Sequence, residues 1–448
     1  MKITFYGAAG EVTGSCYHIV LGDGTELLVD AGFYQDDDSM KKNYELPPLE
    51  WPKISHIILT HGHLDHCGRL PAYYKSGFRG KIIATPPTKD LASILWQDNA
   101  RILADHARFD RQEPLYTEEN AWAASELFQV ADYNQPVKVG AAQVKLFDAG
   151  HILGSASVNL SEGGVSLVVS GDLGNTTNEM VKDTVYPGPA DAVIMESTYG
   201  DRIHTAAESD QQLLKNIILD VIKRKAALLI PAFAIERSQN LIYDLNDLVE
   251  SGAVPEVPVF LDSPMAIDVI NVFKKHKNYL SEELLQHYGK GDDPFVFNRL
   301  KFTDTTEESK QINALPGPKI IIAGSGMMNG GRVVHHLKRI LPDPQSTVLI
   351  VGYQVEGTVG RHVQNKERTI MVDGRRVPLR CQVVRIESYS AHADQTQLLA
   401  WLGKFSPKPP QLYLVHGDQV ALTGLQGKIK EDFALSARIA RYGESFEI

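Results

Sequence analysis

The sequence predicts an α/β protein of two domains, one inserted into the other. Three observations carry that expectation. At 448 residues the chain is too long for one compact core. Residues 1–205 run mainly as strands joined by tight turns, and the same style returns over 376–448. Between them, 206–375 alternate strand and helix patterns, the signature of a parallel sheet covered by helices.

The elements follow in chain order. YHIVLGDGTELLVDAG sets apolar alternation on both sides of a Gly-Asp-Gly turn, and VNLSEGGVSLVVSGD repeats the device on Gly163 and Gly164. Both predict hairpins. TKDLASILWQDNARILADH carries Leu91, Ile94, Leu95, Ile102 and Leu103 at helical spacing. In the middle segment QQLLKNIILDVIKRK and RSQNLIYDLNDLVESG read as helices, the second ending at Gly252, with ALLIPAFA as the strand between them. PVFLDSP, KIIIAGSG and TVLIVGY are further strands; AIDVINVFKKH and RVVHHLKRIL are further helices. VPLRCQVVRIESYSAH and PQLYLVHGD restore the strand style ahead of a C-terminal helical segment.

Composition is that of an ordinary globular protein, 43% hydrophobic and 22% charged. The three cysteines, Cys16, Cys67 and Cys381, are scattered and form no CxxC pair, so no disulfide framework is expected. No run approaches the ~20 apolar residues of a membrane span, and MKITFYGAAG enters a strand pattern at once. These features lead to an expected cytoplasmic setting. The net charge of −10 argues against broad, sequence-independent binding to nucleic acid.

Chemistry concentrates in THGHLDHCGRL, residues 60–70, which packs His61, His63, Asp65 and His66 into six positions behind the strand pattern KISHIIL. Cys67, beside them, reads as a small buried side chain. Three more candidates share that setting. AQVKLFDAGH ends in His151, GVSLVVSGD ends in Asp172, and QLYLVHG sets His416 beside Gly417. Each follows an apolar strand with a glycine next to it, where the backbone turns sharply. VIMEST and VRIESYSAH deliver Glu196 and His392 in the same way. Open sheets gather their sites at one edge like this. The seven nitrogen and oxygen donors exceed the three or four of a single zinc and suit two metals about 3.5–4 Å apart. Imidazole-rich donors favour zinc and leave manganese and iron open.

HGHLDH with His151, Asp172 and His416 resembles the metallo-β-lactamase superfamily. MESTYGDR, PAFAIERSQ, GSGMMNGGR, GYQVEGTVGR and YSAHAD resemble its β-CASP branch, which holds the RNA-cleaving subunit of the cleavage and polyadenylation specificity factor and similar prokaryotic ribonucleases. The likeness spans nearly the whole chain. It implies an αββα sandwich with an inserted α/β β-CASP domain. It also implies that His61, His63 and His151 hold one zinc, that Asp65, His66 and His416 hold the other, and that Asp172 bridges them. Asp30 in LLVDAG would support the ligand loop. Glu196 and His392 would form a pair that protonates the leaving oxygen.

Metals alone choose no substrate, but a long polymer needs the second wall that an inserted domain supplies. GSGMMNGGR, with Ser325 and Gly326, is a glycine-rich loop leading into a helix and could hold phosphate; Arg237, Arg332 and Arg361 could grip phosphates too. Two zinc ions would return positive charge to the site, and a local basic channel could coexist with the acidic total. Histidine rather than valine at 416 goes with RNA in the family. The expectation is therefore a zinc ribonuclease, acting as endonuclease, 5′-3′ exonuclease or both. In it a metal-bridging hydroxide attacks phosphorus, Asp65 serves the metal centre, and His392 protonates the 3′ oxygen. Single-stranded RNA is expected over DNA, with no membrane partner; a homodimer is compatible with the sequence. A small-ester, thioester or lactam hydrolase of the same superfamily and a non-catalytic RNA-binding subunit stand as alternatives.

Overall fold

The computed structural model describes residues 1–35, 40–204, 207–352, 354–355, 357–386 and 389–448, without the side chains of 109–110 and 207–210. Tyr353 and Glu356 of GYQVEGTVGR, and Glu387 and Ser388 of VRIESYSAH, lie outside the described residues. Two compact units emerge, Met1–Ile203 with Ala391–Ile448, and His204–Ser390. The second was expected to end at 375. Strand Gln382–Arg385 instead pairs in parallel with Thr347–Ile350, and that ladder carries the second unit to Ser390.

The first unit is built on two seven-stranded sheets. One runs in the order Ser445–Glu447, Lys2–Phe5, Tyr17–Val20, Glu26–Val29, Ile54–Ile58, Lys81–Ala84, Phe128–Val130; the other runs Ala437–Ile439, Gln411–Val415, Ala192–Glu196, Val165–Val169, Ala156–Glu162, Ala142–Asp148, Val137–Val139. Strand side chains alternate between faces, and here both faces are apolar. Leu27, Val29, Ile58 and Ile83 pack with Leu146, Val158, Leu167, Ile194 and Val415 between the sheets. Their strand neighbours Leu28, Ile57 and Ile82 face outward onto Leu70, Tyr73, Trp96 and Leu103 of the helices Leu70–Lys75 and Pro86–Asp110. On the far side, Val168, Val193, Met195, Leu412 and Leu414 meet Leu398, Leu402, Leu422, Leu425 and Ile429 of Gln395–Gly403 and Gln419–Phe433. The layers are helix, sheet, sheet, helix. Both expected hairpins form, as Tyr17–Val20 with Glu26–Val29 and as Ala156–Glu162 with Val165–Val169.

The second unit carries a six-stranded sheet in the order Leu300–Phe302, Val259–Asp262, Lys319–Ala323, Ala227–Pro231, Thr347–Ile350, Gln382–Arg385. Every neighbouring pair is parallel. Val259–Asp262, Ala227–Pro231 and Thr347–Ile350 are buried along their whole length and Lys319–Ala323 is buried beyond Lys319, as a sheet covered on both faces requires. A separate antiparallel hairpin, Thr369–Val372 with Arg375–Pro378, stands beside it. No helix among the described residues is long and apolar enough to cross a membrane.

Candidate metal centre

Within the first unit the candidate ligands leave the carboxyl ends of their strands. Asp30 follows Glu26–Val29, the His61–His66 loop follows Ile54–Ile58, and His151 follows Ala142–Asp148. Asp172, Glu196 and His416 come from three adjacent parallel strands, Val165–Val169, Ala192–Glu196 and Gln411–Val415. Parallel neighbours present their ends side by side, so residues far apart in sequence converge.

The turns are made in two ways. Gly150 and Gly171 adopt φ of 67° and 58°, and a Cβ on Gly171 would lie 2.8 Å from the Ala156 carbonyl oxygen. At the third site the expectation placed the turn on Gly417, but His416 itself takes the left-handed conformation, φ 53°. Gly417 serves close approach instead, since its Cβ would come within 2.9 Å of Ser197 O. Asp30 is also left-handed, φ 64°, which turns its carboxylate beneath the ligand loop.

Two donor sets share Asp172. In one, His63 Nδ1 lies 3.1 Å from His61 Nε2 and 3.2 Å from His151 Nε2, while Asp172 Oδ2 lies 3.4 and 3.6 Å from the latter two. In the other, Asp172 Oδ1 is 3.2 Å from both His66 Nε2 and His416 Nε2, and Asp65 Oδ2 is 4.0 Å from His416 Nε2. Asp172 Oδ1 and His66 Nε2 are buried and make no hydrogen bond. Orphaned buried polar atoms are costly; a cation between them would satisfy both. The residues present therefore fit a metal.

Electrostatics agree. Burial drives the imidazoles of His61 and His151 well below their usual pKa and that of His63 down to about 4, which leaves them neutral and able to ligate. His66 is buried too, but Asp172 and Asp30 outweigh that and raise it well above normal. The negative field that would hold a proton there would equally hold a metal cation. Asp172 is pulled well below the carboxylate range, burial being overcome by His416, His66 and His61.

The supporting residues are ordered behind this set. Asp30, fully buried, accepts from Thr60 N at 2.8 Å and Thr60 Oγ1 at 2.9 Å, and its Oδ2 lies 2.7 Å from His66 Nδ1. His66 is thereby oriented with Nε2 toward Asp172. Thr60 was missed in the sequence, although it directly precedes the motif. Arg69 was missed as well. It is buried between the rings of Tyr34 and Tyr73, 4.9 and 5.7 Å from their centroids, and its Nε donates to Gly32 O at 2.5 Å.

His392 and Glu196 meet at the same edge. Glu196 accepts from Leu173 N and, at 3.3 Å, from Thr198 N; its Oε2 stands 3.4 Å from His392 Nδ1. His392 is bridged to Gly174 and lies two residues ahead of Asp394, which caps helix Gln395–Gly403. Its side chain keeps 21% exposure. Burial lowers its pKa, but Glu196, Asp172 and Asp65 together bring it above the usual imidazole value.

Comparison with known proteins decides the family. Residues 9–103 match the metallo-beta-lactamase superfamily, 238–363 the Beta-Casp domain, and 376–440 the Zn-dependent metallo-hydrolase RNA specificity domain. A protein named ribonuclease TTHA0252, from Thermus thermophilus, is 35% identical over 450 residues and covers 100% of both chains. The chain belongs to the β-CASP ribonuclease family. A transcription termination factor FttA from Methanocaldococcus jannaschii is 31% identical over 433 residues, 94% of this chain and 67% of that one. A crystal structure of a protein of unknown function from Enterococcus faecalis V583 shares the fold, with a TM-score of 0.60 at 13% identity over 100% of this chain and 99% of that one. As a β-CASP member this chain is an RNA-cleaving metallo-hydrolase that binds divalent metal.

The remaining expected residues, Arg237, Ser325, Gly326, Arg332 and Arg361, belong to the second unit. Ser325 closes its own loop, with N and Oγ on Gly330 O at 3.2 and 3.3 Å. A Cβ on Gly326 would meet the Phe233 ring at 2.8 Å. The Arg237 guanidinium lies 5.9 Å from the Tyr389 ring centroid, and Arg361 sits in helix Val359–Gln364 capped by Thr358. Arg332 departs from expectation. Its Nη1 donates to Asp262 Oδ1 at 2.7 Å and to Thr303 O at 2.6 Å, and Nη2 donates to Asp304 O. Its guanidinium holds the fold of the second unit together, which leaves little of it for a phosphate.

Proposed function

We propose that this β-CASP protein is a two-zinc ribonuclease that cuts single-stranded RNA at the centre built around Asp172. The observation that supports this most is the spacing of the donors. A tetrahedral zinc with ligands at 2.0–2.2 Å separates them by roughly 3.3–3.6 Å; in the His61, His63, His151 and Asp172 set four of the six separations are 3.1–3.6 Å and all lie within 4.8 Å. Asp65, His66 and His416, with the other oxygen of Asp172, would hold the second ion in a more open arrangement. When bound, such ions acidify water and neutralise charge on a phosphoryl oxygen.

The chain's own residues do the rest. Asp30 fixes the ring of His66 and, through Thr60, the start of the ligand loop. Among the described residues, His392 is the imidazole of the cluster that pairs with Glu196, at 3.4 Å, and it retains solvent exposure. It is placed to give a proton from its ring to the departing 3′ oxygen, and Glu196 orients it and favours its charged form. The products would carry 5′-phosphate and 3′-hydroxyl ends.

The test is digestion of an end-labelled single-stranded RNA with metal-loaded protein, with chelator, and with zinc returned. Cleavage that chelation abolishes and zinc restores supports the reading. Intact RNA from a fully loaded preparation that turns over a thioester or lactam would transfer the assignment to a small-ester hydrolase.

A further inference from the structure

The metal centre leaves one sequence feature unexplained. The chain carries 45 Lys and Arg against 55 Asp and Glu, yet the balance is not uniform. Residues 332–385 hold ten basic against four acidic side chains, leaving thirty-five against fifty-one for the remainder. A strongly acidic chain has concentrated positive charge in one stretch of its second unit.

The structure shows where that charge goes. The stretch contains helix Val333–Ile340 and the hairpin Thr369–Val372 with Arg375–Pro378. The two are tied together: Lys338 Nζ lies 2.6 Å from Asp373 Oδ2 at the hairpin turn, and Arg380 N donates to Leu341 O at 2.7 Å. The three described acids of the stretch are each engaged locally. Asp373 takes Lys338, Glu367 takes His362 at 2.6 Å, and Asp343 accepts from Gln345 N and Ser346 Oγ. Arg339, Lys366, Arg368, Arg375, Arg376 and Arg380 are all exposed, and among the described residues none of them forms an ion pair. Six neighbouring cations outside any ion pair repel one another, a cost that an anionic partner removes.

The hairpin's pairing adds direction. Ile370 and Val377 face each other inward and are buried, while Met371 and Arg376 face each other outward. Met371 is 52% exposed. Arg375, exposed beside the turn, shares the register of Val377, so of the two arginines Arg376 alone pairs with Met371 on the outward face. An apolar side chain beside a guanidinium plane suits a splayed base as well as a phosphate, which is how single strands are held.

We propose that this hairpin and the end of the neighbouring helix form a binding surface for the backbone of single-stranded RNA, in addition to the metal centre. It rests on RNA being the substrate, and it accounts for nucleic-acid binding by an acidic chain.

The test measures binding of a fluorescent single-stranded RNA to full-length protein in a His392→Ala background, so that the strand survives. Arg375→Glu with Arg376→Glu should weaken binding at least about tenfold at low salt. It should also reduce the slope of log affinity against log salt by about 1.4, two contacts at roughly 0.7 each for single strands. Arg375→Gln with Arg376→Gln removes the same two contacts, so the slope should fall by about the same amount and the affinity by less. With His392 intact, hydrolysis of bis(p-nitrophenyl) phosphate, which has no polynucleotide strand for the hairpin to hold, should stay within about twofold, since the substitutions change no residue of the metal centre. RNA affinity and salt slope unchanged in both pairs would overturn the proposal. So would polyglutamate competing with RNA at equal affinity through the same arginines, which would make this a protein-docking face. Wild-type protein that binds RNA through these arginines yet never cuts it would sustain the surface and refute the ribonuclease reading instead.

Discussion

Two buried aspartates, one in each unit, show how similar residues serve different ends. Asp262, at the carboxyl end of its strand, accepts four hydrogen bonds at 2.6–2.7 Å. Thr303 Oγ1 and Arg332 Nη1 share Oδ1, and Ser309 Oγ and His336 Nε2 share Oδ2. Asp172 sits in an equally buried place at a strand end, but its histidine neighbours stand at 3.2–3.8 Å and Oδ1 has no hydrogen-bond partner. The first carboxylate is satisfied by the protein. The second is surrounded by donors held just too far apart to satisfy one another, with a spacing that an ion would fill. Histidine beside aspartate is therefore no sign of a metal; the sign is convergence without mutual satisfaction.

Substitutions should separate the two. Asp172→Ala removes an oxygen from both donor sets, so metal content should fall below one ion per chain and RNA cleavage by more than about 10³-fold. Asp65→Ala should lose metal from one set only. His392→Ala should cost about 10²–10⁴ in rate while metal content by inductively coupled plasma mass spectrometry stays at the wild-type value. Equal metal loss in Asp65→Ala and His392→Ala would erase the distinction between ligand and proton donor.

Asp262→Ala sharpens the other side. It strands a buried imidazole and guanidinium, so urea unfolding should show a loss of about 3–5 kcal/mol, with metal content unchanged. Loss of metal in this variant would contradict the contrast drawn here.

The pH dependences should run in opposite senses. In the first unit burial pushes Asp148 up to about 7, only partly offset by the Gly150 N–H. A raised carboxyl favours folding below its unfolded value near 4, and that contribution is lost as pH rises through about 7. Asp148→Asn should therefore gain stability at pH 8 relative to pH 5, by roughly 2.5 kcal/mol at most. In the second unit burial alone would raise Asp262, but His336, Ser309, Thr303 and Arg332 hold it well below the usual carboxylate range. Its stabilisation is present above pH 4 and lost below. Hydrogen exchange of the two units across pH would show both signs. Smallest of all, Thr60→Val removes one hydrogen bond from Asp30, at about 1 kcal/mol, with metal affinity weakened on the order of tenfold.

Much of the first unit was legible in the sequence because its signals are local. HGHLDH, and the single residues His151, Asp172 and His416 at the ends of apolar runs, announce themselves by strand pattern and spacing. What could not be read is whatever depends on strands meeting. The pairing that sets Glu196 beside Val415, the hydroxyl of Thr60 under Asp30, and Arg69 between two tyrosines arise only once the sheets are ordered. The same reason misdirected Arg332. In the sequence it is an arginine behind a glycine-rich loop, and only the fold reveals that Asp262 claims it. The compact second unit runs to Ser390 rather than 375 for the same reason, since an edge strand shows its pairing partner only in three dimensions.

Anomalous diffraction from crystals grown with saturating zinc, recorded at the zinc edge, bears most directly on the contrast between Asp172 and Asp262. Two peaks about 3.5–4 Å apart should flank the Asp172 carboxylate, with none beside Asp262. A saturated crystal with no peak at Asp172, or with a peak within the Asp262 network, would contradict it.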